Sequence, residues 1–557
     1  MRRLSLLLIL IILLATFSPV YSRPWLAPND PQRGAGGTIR IGYVAASLED
    51  YFNPFECFDY ACIAIAELLL PRLIGFDLVT GLVSANATNG LAQGWEFSED
   101  GTELTIHLRR NLHWSDGTPI TAEDVKSTYD QMAIMYTYPV EYIESVEVVD
   151  SGSVRFHFYE PPRCSILADL STFILPAHVQ VFDIDLTEFD RTTTITGGLF
   201  RIEEWETEKI TLVPNPSPNG DAIILPEALE FYPFSDEITL VEAVQGDLID
   251  VTLLISTLPA MQMAQAADLQ TFEFPGLSYD YIGLNMADQL NPLDGVDADG
   301  NPVSQIPHPI LGDAKVRRAI QLALNVPLII DDAVQGFGSL MSADENAHRL
   351  DSDLAPIPYD PEQAVQLLEE AGWERGSDGV WVAQDSAYAP TGTPLRLNMI
   401  TNEGNARREA VMEQVQAQLG DIGIEIDTAL VEFNDLLDTV DAQNFDTYIL
   451  GWRSGLPLYP DLTYLFSVEA DVTFSGFNMV SYYNPEAEAL MTAANYQNGC
   501  EIDREGVARL SEILQEDQPY IWLYAINNMY VSNGQVSGWH PYPFVPLFNV
   551  QGWSVNE

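Results

Sequence analysis

A single hydrophobic core stops growing at roughly 250–300 residues. This chain of 557 residues carries apolar positions along its whole length, so it has to divide into at least two lobes. Its hydrophobic fraction of 47% supplies ample core for both and excludes a disordered, collagenous or disulfide-dense miniprotein class.

Charge narrows the function classes. Twenty-five Lys and Arg face 81 Asp and Glu, a net charge of −56, and the only lysines are Lys126, Lys209 and Lys315. Nucleic-acid affinity comes from cations displacing counterions along phosphates, so nucleic acid is excluded as a partner. Strong self-repulsion suits a soluble surface exposed to salt outside the cytoplasm.

The N-terminus agrees. Arg2 and Arg3 precede the apolar run Leu4–Phe17, and Val20-Tyr21-Ser22 offers small residues for cleavage. That pattern predicts a signal peptide over residues 1–22, shorter than a comfortable membrane span. The first cysteine is Cys57, so no lipoprotein anchor is expected: the chain is released, or its apolar run holds it at the surface. The expected location is secreted, periplasmic or cell-surface. Residues 23–37, rich in Pro and Gly, read as a linker. In an oxidising compartment Cys57, Cys62, Cys164 and Cys500 allow two disulfides in three connectivities. Their spacing does not build a zinc site, and neither a metal nor a cofactor is expected.

From Thr38 onward the elements are mixed. Leu104, Ile106 and Leu108, then Val154, Phe156 and Phe158, alternate with polar residues as half-buried strands do. Thr121 and Asp313 are placed to cap helices, and Asp360-Pro361 and Asn484-Pro485 put a capping residue before Pro at the first helical position. Gly372 is set to close the first of the Pro-led helices. A helix over about residues 406–419 runs into the strand Ile424-Glu425-Ile426, and helix-then-strand order implies an α/β fold.

Several segments, in order, resemble the family of extracellular solute-binding proteins of ABC importers that includes peptide and nickel receptors. They are Asn53-Pro54, Gly94-Trp95-Glu96-Phe97-Ser98, and His113-Trp114-Ser115-Asp116-Gly117-Thr118-Pro119 leading to Thr121-Ala122-Glu123-Asp124-Val125. Further on come Gly246-Asp247, Tyr281-Ile282-Gly283-Leu284-Asn285, Val316-Arg317-Arg318-Ala319, Gly451-Trp452 and Asp517-Gln518-Pro519. The long stretch from His113 reads physically as a strand–turn–helix connection, structural in role. Arg317 and Arg318 read as a solvated helix face or as partners of local carboxylates.

The resemblance implies a two-lobed α/β architecture of the type II periplasmic-binding-protein kind, with discontinuous lobes, an extra subdomain and a cleft that closes on solute. Lobe I is expected over 38–274 and 482–557 and lobe II over 275–481, with crossings near 274–281 and 478–483. Disulfides 57–62 and 164–500 then involve the least strain. Aromatic and amide side chains near the junction make Asn53, Tyr279, Trp452, Asn478 and Tyr482 the candidate ligand-binding residues. The implied function is a non-catalytic, monomeric receptor that captures an oligopeptide or oligosaccharide and delivers it to ABC transporter permease subunits. The alternatives are a secreted carboxylate-dependent hydrolase or a ligand sensor subunit. The sequence contains no G-x-S-x-G, H-E-x-x-H or Walker motif, and its seven histidines are scattered.

Departures from the family's dipeptide branch also matter. Dipeptide receptors resemble one another in using an Asp after the Gly-Trp pair for the peptide ammonium and an Arg ahead of the Asn405-Ala406-Arg407-Arg408 helix for the carboxylate. Gly455 and Ile400 stand at those positions here. Asp461 follows six residues later and reads as structural. A short zwitterion would therefore bury unpaired charges, which favours a longer peptide or a neutral glycan stacked on Trp452.

Overall fold

The structure, a computed structural model, describes residues 35–45, 60–85, 87, 89–135, 142–179, 195–206, 208–216, 223–343, 354–493 and 498–555. The expected signal peptide, most of the expected linker, Asn53 and Cys57 lie outside them. No helix among the described residues is long and apolar enough to cross a membrane.

Local signals become elements for identifiable reasons. Leu104, Ile106, Leu108, Val154, Phe156 and Phe158 are all buried, because the strands Glu103–Leu108 and Ser153–Phe158 pair with Leu104 opposite Phe156 and Ile106 opposite Val154. Flanked by Ala92–Phe97 and Ile143–Asp150, they make a four-stranded antiparallel sheet, the extra subdomain. The helix Ala122–Met135 covers it, with Tyr129 edge-on to Phe156. Thr121 Oγ1 accepts from Glu123 N at 3.3 Å while Asp124 Oδ2 accepts from Thr121 N at 2.7 Å, a reciprocal cap. Asp124 Oδ1 also accepts from the indole of fully buried Trp114 at 3.2 Å, so the stretch from His113 is a structural joint.

The other helix starts behave alike. Asp313, Asp360 and Asn484 each accept backbone N–H bonds at the first turns of Ala314–Leu322, Pro361–Glu370 and Pro485–Met491. Gly372 takes a φ of +80°, and a Cβ there would meet the carbonyl of Asp385 at 2.3 Å, which only glycine avoids.

One large sheet organises the rest. Its strand order is Glu425–Val431, Arg396–Asn402, Thr447–Arg453, Gln270–Leu284, Tyr520–Ser532, Val251–Thr252, Thr38–Val44, Ala228–Phe234, Ile210–Pro214 and Phe200–Trp205, with Gly338–Leu340 also paired to Tyr520–Ser532. The two long central strands are antiparallel. Residues 270–275 pair with 527–532, the register shifts between Pro275 and Tyr279, and pairing resumes from Tyr279 opposite Ala525 to Gly283 opposite Tyr520, with a one-residue slip between Asp280 and Tyr281. Thr447–Arg453 joins only from Ser278 onward, within and beyond the shift. Just past it Asp280, 1% exposed, receives Arg407 Nε at 2.6 Å and the Tyr524 hydroxyl at 3.1 Å, with Arg408 Nε at 3.5 Å.

Separate cores form on the two sides of the shift. The first gathers Ile39, Ile41, Phe156, Leu229, Phe274 and Tyr530. The second side carries two clusters, one around Val316, Leu368, Val415 and Ile449 and the other around Tyr281, Leu436, Tyr448 and Tyr520. Leu510, Ile513 and Leu514, on the helix Arg504–Asp517, belong to the last of these, as do Ala487 and Met491. Both helices fall within 482–557, the segment expected to complete the first lobe, yet they pack on the second side.

Arg317 departs from the solvated face expected of it. It is 3% exposed, with Nε donating to the carbonyl of Asp517 and Nη1 to that of Leu311, each at 2.7 Å. Burial lowers its pKa to about 10. The side chain ties Ala314–Leu322 to the carboxyl end of Arg504–Asp517, where backbone carbonyls lack helical donors.

Cys164 and Cys500 form a disulfide across a sequence separation of 336. Cys62 is also disulfide-bonded. A cross-link closing so long a loop restricts the unfolded chain strongly, so Cys164→Ser with Cys500→Ser should lower unfolding free energy by about 2–5 kcal/mol. Denaturant titration of wild type and double variant measures this.

A second polar core is pH-sensitive. Asp471, 2% exposed, accepts from Gln443 Nε2 at 2.7 Å, Ser481 Oγ at 3.3 Å and Gln305 Nε2 at 3.2 Å. Burial raises its pKa to about 6 despite these donors. Since the unfolded carboxyl titrates near 3.9, the native state holds the proton more tightly. Asp471 therefore favours the fold below about pH 4, and that contribution is lost as pH rises through about 6. Relative to Asp471→Asn, wild type should lose ~3 kcal/mol between those pH values, read from unfolding curves at several pH values.

Candidate functional site

A cavity of about 1470 Å³ lies where the two sides face each other. The first side supplies most of residues 159–173, with Ile63, Arg72, Met132 and Tyr142; the second supplies residues 453–459, Asp461, Tyr464 and Phe477. The second wall follows from the strand Thr447–Arg453, which delivers the chain from the sheet into the loop beginning at Ser454. Ser454 N donates to the carbonyl of Leu277 at 2.9 Å, inside the register shift of the neighbouring strand.

That loop also reaches the first side. Val83 N donates to Leu458 O at 3.0 Å and Leu458 N to Gly81 O at 2.8 Å. Leu82 and Leu458 are both buried, flanked by Leu277, Leu456 and Ile502. The Tyr459 hydroxyl donates to the carbonyl of Cys500 at 3.1 Å. Arg163 Nη1, beside the disulfide, donates to Thr463 Oγ1 at 2.8 Å.

The expected ligand residues separate. Tyr279 is buried against Tyr281 with ring centroids 6.1 Å apart. Tyr482 is buried edge-on to Phe466, its hydroxyl donating to Asp517 Oδ2 at 2.9 Å. Asn478 is fully buried and spends its amide locally, donating to Ser467 O at 3.0 Å and Tyr482 O at 2.8 Å and accepting from Tyr482 N at 3.0 Å. None of these three lines the cavity. Trp452 stands next to it: its ring is edge-on to Tyr464 and Phe477 at 6.4 and 5.7 Å, and those two line the wall while remaining 38% and 48% exposed.

Gly455 lines the cavity with no side chain to offer, whereas Ile400 packs against the second-side core around Tyr448. Asp461 lines the cavity but accepts from Thr463 N at 2.9 Å and from the Thr463 hydroxyl, holding the turn into the short helix Thr463–Phe466. Arg163, Arg453, Tyr464 and Phe477 escaped sequence reasoning. For Arg163 a signal existed, its position beside a cysteine expected to bridge; the other three become neighbours only through the fold. The buried histidine–carboxylate pair His308 Nε2 and Asp446 Oδ1, 2.9 Å apart, does not line this cavity, and His308 Nδ1 is occupied by the backbone N–H groups of Ile310 and Leu311.

Comparison with known proteins gives a consistent picture. The chain is 27% identical over 576 residues to the oligopeptide-binding protein AppA of Bacillus subtilis, covering 99% of this chain and 97% of that one. It is 26% identical over 419 residues to the dipeptide-binding protein of Escherichia coli, covering 69% and 70%. Among solved structures, HbpA2 from Haemophilus parasuis superposes with a TM-score of 0.72 at 21% identity, covering 93% of this chain and all of that one. The Bacillus subtilis AppA complex with a nonapeptide superposes with a TM-score of 0.54 at 24% identity, covering 94% and 100%. Residues 86–474 match the family model of the bacterial extracellular solute-binding proteins, family 5, and the chain belongs to that family.

Proposed function

We propose that this protein is an extracytoplasmic, non-enzymatic receptor that captures a peptide longer than a dipeptide between its two lobes and hands it to the permease of an ABC importer. The cavity carries this reading. At about 1470 Å³ it exceeds the 300–1,000 Å³ typical of pockets for drug-sized ligands, and both sides of the molecule build it. Ile400 and Gly455 deny a dipeptide the ion pairs that would hold its two ends. Tyr464 and Phe477 supply rigid aromatic contact with little entropy to lose. Both relatives named above are peptide-binding proteins, and the one matched over nearly the whole chain is named for oligopeptides.

The lobes are best divided at the two long strands. The first crossing belongs at the shift between Pro275 and Tyr279 and the second near residues 525–527, where pairing changes from one side to the other. On this division the helices Pro485–Met491 and Arg504–Asp517 go with lobe II in place of the boundary at 482, while the connection between them around Cys500 packs on the first-side core. Closure then bends two adjacent strands and leaves helices intact.

Two measurements test the reading. By calorimetry, a nonapeptide should bind at least about tenfold more tightly than a dipeptide, and micromolar binding of a plain dipeptide would overturn the size argument. Small-angle scattering should show a smaller radius of gyration on peptide binding with unchanged far-ultraviolet circular dichroism. A constant radius at saturation would remove the closure model.

A further inference from the structure

We infer that Arg453 forms a subsite for a carboxylate of the bound peptide, a step that rests on the peptide-receptor reading above. Cations are scarce in this chain, 25 against 81 acids, and most are engaged: Arg40 by Asp250, Arg155 by Glu103, Arg396 by Glu425, Arg407 by Asp280. Three arginines nevertheless line this same cavity, Arg72, Arg163 and Arg453. Arg72 is held by Glu67 at 2.6 Å and Arg163 by Thr463. The Arg453 side chain makes no hydrogen bond or ion pair with any described residue and is exposed to the cavity.

Its position is fixed by the sheet. Arg453 is the last residue of Thr447–Arg453, opposite Ser278, and side chains alternate along a strand. Trp452 therefore turns to the Tyr464–Phe477 aromatic group while Arg453 takes the other face. Two residues on, Gly455 lines the same wall without the acid that the dipeptide receptors it resembles place there. With no carboxylate at 455, and with Asp461 satisfied by Thr463, the second-side wall presents a guanidinium in need of an anion. The remaining acids of the cavity, Glu160 and Asp169, come from the first side. The second-side wall is thus set to take a carboxylate, in the bidentate geometry a guanidinium favours. That carboxylate is either the peptide's C-terminus or an acidic side chain.

A matched nonapeptide series separates the two sources: free or amidated C-terminus, crossed with an internal Glu or Gln, each titrated calorimetrically into wild type, Arg453→Met and Arg453→Lys. Wild type should favour one carboxylate form over its amide by about tenfold, and which form is favoured identifies the source. In Arg453→Met that ratio should fall to within about twofold while affinity for the doubly neutral peptide stays as in wild type; Arg453→Lys should keep part of the preference. Equal weakening of charged and neutral peptides in Arg453→Met, or an unchanged ratio, overturns the assignment. Wild type that binds all four peptides alike also overturns it but leaves the peptide receptor standing. Wild type that binds none removes both.

Discussion

The structure depends on one pairing, that of Gln270–Leu284 with Tyr520–Ser532. Apart from Gly338–Leu340, which pairs with residues 524–526 in the middle, the other strands of the large sheet extend from one end of this pair or the other, so its register decides where each core sits. The pair has to be long enough to serve both sides and irregular enough between them to let the sheet change partners. Gly276 supplies part of the irregularity: a Cβ there would lie 2.6 Å from the carbonyl of Ile526. Asp280 supplies the anchor. A carboxylate so deeply buried needs compensating charge, and it takes two guanidiniums from the start of Ala406–Asp421. Gly451 is part of the same fitting, since a Cβ there would crowd Asp280 Oδ1 at 2.7 Å. The anchor thus fixes one helix, two strands and the strand that leads to the cavity wall.

What could be read in the sequence was local. Caps at Thr121, Asp313, Asp360 and Asn484 are short-range events between a side chain and the next turn, and each is present where the residues put it. The segment Tyr281–Asn285 also has a local logic: Gly283 leaves room for the Tyr448 ring, and Asn285 Nδ2 donates to the carbonyls of Gln443 and Phe445. The cavity was less legible because its walls meet through contacts between residues hundreds of positions apart, such as Arg163 and Thr463. Asn478 and Tyr482 sit close in sequence to the cavity residue Phe477, but a side chain's direction at a loop is set by its neighbours. Both turn inward to satisfy a polar core. Tyr520–Ser532 is buried nearly throughout and apolar on either side of Asn527-Asn528, so that one polar interruption, at the register shift, is its only trace of serving two sides.

The cations show how a chain so short of them economises. Arg317 is spent wholly on backbone carbonyls, Arg375 on the carbonyls of Gly379 and Ile422 with its plane 5.1 Å from the Trp381 ring, and Arg72 on Glu67, Ser171 and the Phe173 ring. These are planar, multi-donor tasks that a lysine ammonium performs less well, which accounts physically for a cation pool that is almost all arginine. The many carboxylates that remain lie on the surface, where repulsion is screened by salt.

The link between Cys164 and Cys500 has a mechanical meaning. On the lobe division proposed above, the two bodies are joined by a pair of adjacent strands, which leaves them free to swing about the line across the pair and to twist along it. The disulfide fastens the connection between Pro485–Met491 and Arg504–Asp517, helices of the second side, into the first-side core beside Cys164. That is a third attachment away from the strand pair, and in such a joint it would act as a stop: rotation carrying residue 500 away from residue 164 is arrested by covalent bonds, whereas rotation that keeps the two points together is not.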